Sequence, residues 1–241
     1  MIKGIFHCSD FQLAKDMGFT HVEVSYTAGR GHGSYPAMSR AIRDAHELGL
    51  GCMIAPFNHD MINVSEGLNF LDSVTINLGD FVALSDEPND RWIHPHDIRK
   101  LNDAVKKKSN LRTAITLTCA NNALDYANTC DILMPDFYRR MTWYRAIPLA
   151  CKIKRLQKLH DGKIIAVPPI RYSPAQIKKH HEFWWKLGIW NQFWYSATPT
   201  QEKPPWADKD LADYEEFKAA IKVANQPKAS LAPQEGGFLS V

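Results

Sequence analysis

The sequence predicts an α/β protein, a single compact (β/α)8 barrel of TIM type with short loops. Three observations predict it. Apolar runs alternate with helix-patterned stretches through eight units in about 225 residues. The runs are short and continuously apolar, as parallel strands covered on both faces must be. Polar, acidic and aromatic residues gather just after the strand ends (NHD, SDEPND, PDFYRR, RYS, WYSATP), whereas the helix-to-strand turns are terse (KDMGF, HELGL, LHDGK, WKLGI). In a barrel all strand-to-helix loops open on one face, and that face carries the active site. A doubly wound open sheet is the alternative arrangement.

Each unit has its own signals. The run Ile2–Cys8 precedes SDFQLAKDMG, which opens on a Ser/Asp cap and closes on Gly18. Phe19–Tyr26 leads through TAGRGHGSYP into AMSRAIRDAHELG, again stopped by a glycine. Leu50–Phe57 passes through a polar loop to a helix around Ser65–Val74. Phe81–Leu84 ends in SDEPND, and the helix from Pro95 to Lys108 carries lysines at its C-terminal end, as the helix dipole favours. Leu111–Cys119 and Asp131–Met134 flank a helix-like ANNALDYANT, and the long amphipathic WYRAIPLACKIKRLQKLHDG follows. Lys163–Ile170 precedes SPAQIKKHHEFWWKLG, where Ser173 and Pro174 supply the cap and first turn. Ile189–Tyr195 is followed, after a Pro-rich loop, by DLADYEEFKAAIKVAN. The barrel domain is expected over 1–225, with 226–241 a flexible tail.

Composition narrows the function. The 241 residues are 45% hydrophobic and 23% charged, which suits a globular chain with a large core and argues against disorder. Lysine and arginine (29) nearly balance aspartate and glutamate (26), so a net charge of +3 gives no basic field for nucleic acid. No run reaches the roughly 18 apolar residues of a membrane span, and the N-terminus lacks a signal-peptide pattern. A soluble protein is expected, cytoplasmic or secreted with its signal removed, as a monomer or weak homo-oligomer. Five cysteines, an odd number without a CxxC, read as reduced core residues.

The sharpest chemical signal is Phe81-Val-Ala-Leu-Ser-Asp-Glu-Pro88. Apolar strand residues deliver two adjacent carboxylates to the loop face, and Pro88 stops the strand there. The pair could instead cap the following segment or pair with Arg91. Leu84, Asp86, Glu87 and Pro88 resemble the "LxDEP" of barrel glycoside hydrolases whose fourth strand ends in the general acid/base glutamate. Cys130–Tyr138 is similar to the "DvvxxDxYP" stretch of that superfamily, and Gly188–Tyr195 to its "GxxGxxxW" strand ends. The resemblance implies hydrolysis of a poly- or oligosaccharide by two carboxylates, without a cofactor or metal. It also implies a nucleophilic glutamate at the end of the seventh strand, but KIIAVPPIRYS offers none.

Glycoside hydrolysis needs one carboxylic acid to protonate the leaving oxygen and one carboxylate across the scissile bond. Glu87 is therefore expected as the acid, and Asp136, at the sixth strand end, as base or nucleophile. Asp86, Glu23 and Asp60 are further candidates for the second carboxylate. Sugar rings stack their C–H faces on flat side chains, and their hydroxyls call for polar partners. Tyr138, Tyr172, Trp190, Trp194 and Tyr195 supply the former, with His59, Asp60, Arg171, Gln192, Glu23 and Arg30 supplying the latter. Trp184 and Trp185, mid-helix, read as packing, and His180 and His181 as a solvated helix face. His94-Pro-His96 has metal-like spacing, but Pro95 fits a first helical turn.

Two rival classes remain. GFTHVEVSY is similar to the second strand ("GFDGVEL") of sugar isomerases and epimerases, whose metal-binding residues line successive strand ends. The missing seventh-strand glutamate also fits a carbohydrate-binding barrel without catalysis.

Overall fold

A computed structural model describes residues 1–26, 32–57, 61, 63–119, 121–170, 173–195 and 215–226. Eight parallel strands run β1 (Lys3–Ile5), β2 (His21–Ser25), β3 (Gly51–Ala55), β4 (Phe81–Asp86), β5 (Arg112–Thr118), β6 (Ile132–Asp136), β7 (Lys163–Ile164) and β8 (Gln192–Trp194). Their order is β7-β6-β5-β4-β3-β2-β1-β8. The ring closes where residues beyond β7 pair with β8: the Phe193 N–H donates to Ala166 O (2.8 Å) and the Tyr195 N–H to Pro168 O (3.0 Å). The expected barrel is therefore present. Its seventh strand is regular over two residues, and beyond them pairing continues only as isolated bridges at Ala166, Val167 and Pro169 rather than as one ladder through Lys163–Ile170.

The helices are α1 (Phe11–Asp16), α2 (Tyr35–Glu47), α3 (Val64–Ser73), α4 (Pro95–Lys108), α5 (Trp143–Leu159), α6 (Pro174–Lys186) and α7 (Glu215–Asn225). Asp10, Ser34 and Ser173 cap α1, α2 and α6 through their side chains. His94 caps α4 by accepting the His96 N–H, which explains the His-Pro-His spacing locally. ANNALDYANT forms a single 3-10 segment, Asn121–Tyr126, rather than an α-helix; its asparagines compete with the helical backbone for hydrogen bonds. No helix among the described residues is long and apolar enough to cross a membrane.

Strand alternation sorts the apolar residues into two cores. Val22, Val24, Ile54, Leu84, Leu117 and Trp194 join the layer between sheet and helices. Phe6, Met53, Phe81, Ile132, Met134 and Phe193 fill the barrel itself. Gly4 lets Phe193 inside, since a Cβ there would lie 2.1 Å from its ring. The five cysteines are free; Cys8, Cys52 and Cys130 are buried, but Cys151 is exposed on α5. His180 and His181 are buried, contrary to a solvated face. His180 Nε2 bonds Arg139 O (3.0 Å) and His181 Nδ1 bonds Gln192 Oε1 (3.1 Å), so each ring that the helix turns inward has a polar partner at one nitrogen.

Candidate active site

The C-terminal mouth of the barrel gathers carboxylates from three strands. On β4 the register slips between Ala83 and Ser85, a bulge that re-aims the strand end. Glu87 follows with φ +50°, a left-handed conformation uncommon for a residue with a side chain. Its N–H donates to Thr116 O (3.0 Å), and its carbonyl accepts from Asp90 N–H (3.0 Å). Asn89, almost fully buried, then ties the loop to β5, donating to the Thr118 hydroxyl (2.8 Å) and accepting from the Thr118 N–H (3.2 Å). The strained residue is thus held by a fixed turn.

Asp136 ends β6 and is 3% exposed. Its carboxyl group neighbours those of Glu87 and Asp86 and the Tyr138 side chain, and its Oδ2 has no hydrogen-bond partner among the described residues. Burial, then the neighbouring Glu87 and Asp86 carboxylates, hold Asp136 well above the usual carboxylate range. Asp136 therefore keeps its proton to higher pH than an ordinary carboxyl. Asp86 has 42% of its side-chain surface open. Crowding by protein atoms, with the charges of Glu87 and Glu23, pushes it up to about 6; Arg91 (3.7 Å) and His7 act in the opposite sense.

Glu23 has the opposite character. It points inward from β2, 9% exposed, and its Oε2 accepts the His7 N–H (3.0 Å) and lies 2.9 Å from His7 Nδ1. Burial alone would raise its pKa, but the His7 charge and hydrogen bonds, with the charge of His32, outweigh burial and lower it. His7 reaches this position with φ +52° at the end of β1. β2 and β6 lie on opposite sides of the ring, so the ionised Glu23 and the proton-holding Asp136 belong to opposing walls.

Glu23, Asp86, Glu87, Ser85 and Arg91 line a cavity of about 120 Å³ together with Tyr138 and Tyr195. The two tyrosine rings stand 4.9 Å apart at 33°, and Tyr195 meets the His7 ring edge-on at 5.5 Å. The Ser85 hydroxyl is buried there without a partner among the described residues, a polar atom open to a ligand hydroxyl.

Of the residues singled out from sequence, the structure brings together Asp86, Glu87, Asp136, Glu23, Tyr138 and Tyr195. Three do not reach the mouth. Trp194 is fully buried on the helix side of β8, and Gln192, 3% exposed, bonds His181 there. Trp190 is 55% exposed in the turn leading into β8, at the opposite end of the barrel. Arg30, His59, Asp60, Arg171, Tyr172 and nearly all of the 226–241 tail lie outside the described residues. His7, Ser85 and Asn89 were not singled out, although His7 ends an apolar run as Glu87 does.

Among the described residues, one His/Cys/Asp group has ligand atoms within 4.8 Å of each other: His46, Cys52 and Asp80, beside the N-terminal ends of β3 and β4. Asp80 is already satisfied by the N–H groups of Cys52 (2.7 Å) and Asn77 (2.8 Å) and by His46 Nε2 (2.9 Å). It reads as a structural clamp.

No protein-family model and no curated protein matches the chain. Solved structures that it resembles are barrel glycoside hydrolases and related enzymes. A GH113 β-1,4-mannanase superposes with a TM-score of 0.67 at 10% identity, over 94% of this chain and 99% of the other. A β-1,3-glucanosyltransferase of Rhizomucor miehei gives 0.61 at 13% identity, over 81% and 86%. D-psicose 3-epimerase of Clostridium cellulolyticum gives 0.54 at 10% identity, over 93% and 96%. At these identities the shared feature is the barrel.

Proposed function

We propose that the chain is a glycoside hydrolase working at the C-terminal mouth of its barrel. One observation carries this reading: Asp136, which retains its proton, and the ionised Glu23 stand on opposite walls of one barrel mouth, with Glu87 at the end of β4 between them. Environments that push carboxyl pKa values apart are what acid/base division of labour requires. Glu87 lines the cavity and is the acid that protonates the leaving glycosidic oxygen. Asp136 lies beside Glu87 and keeps its own proton, so it acts as a neutral neighbour of the acid rather than as the base or nucleophile across the bond. Glu23 takes that place, as the carboxylate that activates water or attacks the anomeric carbon. Asp86, with Arg91 beside it, adds negative potential that favours the developing oxocarbenium ion. Tyr138 and Tyr195 offer faces to the sugar ring and Ser85 a hydroxyl.

The test is reducing-end release from a panel including β-1,4-mannan, β-1,3-glucan and β-1,4-galactan, the glycans named for the structural neighbours. Glu87→Gln is expected to lose roughly 10²–10⁴-fold in activity, the range typical of a general acid. Full activity in that variant would remove the assignment. Binding without cleavage would favour a non-catalytic barrel, and turnover of free sugars that depends on a divalent cation would favour an epimerase.

A further inference from the structure

A second, larger cleft of about 540 Å³ adjoins the first. Tyr138 lines both, while Glu87 lines the first and the neighbouring Asp136 the second. A glycan running between the clefts would therefore pass both Glu87 and Asp136.

The second cleft has its own chemistry. Three cations line it, Arg139, Arg145 and Lys152, and among the described residues none has an ion-pair partner. Lys152, half-buried, donates to Cys119 O (3.0 Å), which leaves two of its three N–H bonds unused. Arg145 lies 5.5 Å over the Tyr144 ring, which orients its guanidinium. Pro148, inside α5, lacks the N–H that would bond Tyr144 O, so the turn bearing Tyr144 and Arg145 is released from that constraint. The acidic groups present are Asp90, which accepts the Thr118 hydroxyl (3.0 Å), and Asp136, which burial holds in its neutral form. Phe137, Tyr144 and Leu149 supply apolar wall. In a chain of net charge +3, this is a local excess of positive charge against an aromatic surface.

We infer that this cleft binds an acidic substituent of the glycan, a carboxylate or a sulfate ester, on the sugar next to the scissile linkage. Guanidinium forks match the paired oxygens of both groups, and the aromatic wall matches a ring face. The inference rests on the hydrolytic reading only in taking the ligand to be the substrate.

The experiment is calorimetric binding of four probes to the wild-type protein and to the Arg145→Gln/Lys152→Gln double variant. The probes are a uronic-acid oligosaccharide, its carboxyl-reduced form, a sulfated oligosaccharide and its desulfated parent. At low salt the wild type is expected to favour one acidic probe over its neutral counterpart by about tenfold, a preference that 0.5 M salt weakens. The acidic probe preferred identifies the substituent. In the variant the preference falls below about twofold while neutral-probe affinity is unchanged. A neutral probe binding as tightly as its acidic counterpart, a preference surviving in the variant, or no binding of any probe overturns the proposal. Acidic-probe binding without cleavage would leave this inference standing and remove the hydrolytic reading; Glu87-dependent cleavage of neutral glycans with no acidic preference would do the reverse.

Discussion

Glu87 and Asp136 come from β4 and β6, with β5 between them, yet burial and the neighbouring Glu87 carboxylate together hold a proton on Asp136. The β4 bulge and the left-handed Glu87 re-aim the end of β4, while Pro135 and Asp136 complete β6. Asp136→Asn keeps a neutral, hydrogen-bonding side chain of the same shape beside Glu87. It should therefore leave kcat/KM within about tenfold of wild type, whereas removing a base or nucleophile there would cost roughly 10²–10⁴-fold; steady-state kinetics measure the difference.

The acid limb should respond to His7. Its charge and hydrogen bonds lower the Glu23 pKa against the effect of burial. With His7→Gln, burial dominates, the Glu23 pKa rises, and the acid limb moves to higher pH. Stability changes with the same sign logic. The depressed pKa contributes stability above the unfolded value of about 4.3 that is lost as pH falls through the folded value. The variant should therefore be less stable than wild type at pH 7, with the gap closing in acid, as urea denaturation at several pH values will show.

Asp86 gives the reverse pattern. Its folded pKa of about 6 exceeds the unfolded value, so its contribution favours folding in acid and is lost as pH rises between about 4 and 6. Asp86→Asn should stabilise the fold above pH 6 by roughly 1 kcal/mol, a screened figure because the side chain is partly open to solvent. Below pH 4 the two proteins should unfold at the same denaturant concentration.

Backbone strain at Glu87 predicts a trade of stability against activity. Asparagine adopts the left-handed region more readily than glutamate. Glu87→Asn should gain about 1 kcal/mol, or roughly 2–4 °C in Tm for a chain of this size, while hydrolysis is lost. Calorimetry and the polysaccharide assay on the same preparation measure both.

The barrel was legible because parallel strands covered on both faces leave continuous apolar runs, and Glu87 because Pro88 marks the strand end. Trp194 was misplaced for a reason of parity. Whether Phe193 or Trp194 faces inward is decided by Gly4, a residue on another strand whose missing Cβ admits the Phe193 ring. The pairing of Glu23 with His7 was equally hidden, since it depends on a left-handed His7 reaching across from β1. Adjoining clefts and carboxyls gathered from β4 and β6 are properties of the closed ring, which no spacing along the chain encodes.

The most direct test of the central claim compares leaving groups. A general acid matters when the departing oxygen is a poor leaving group and little when it departs unaided. With Glu87→Gln, hydrolysis of the natural linkage should fall by roughly 10²–10⁴-fold, whereas a dinitrophenyl glycoside of the same sugar should be cleaved at the bond-breaking step nearly as fast as by wild type. Equal loss on both substrates, or none on either, would contradict a proton delivered by Glu87.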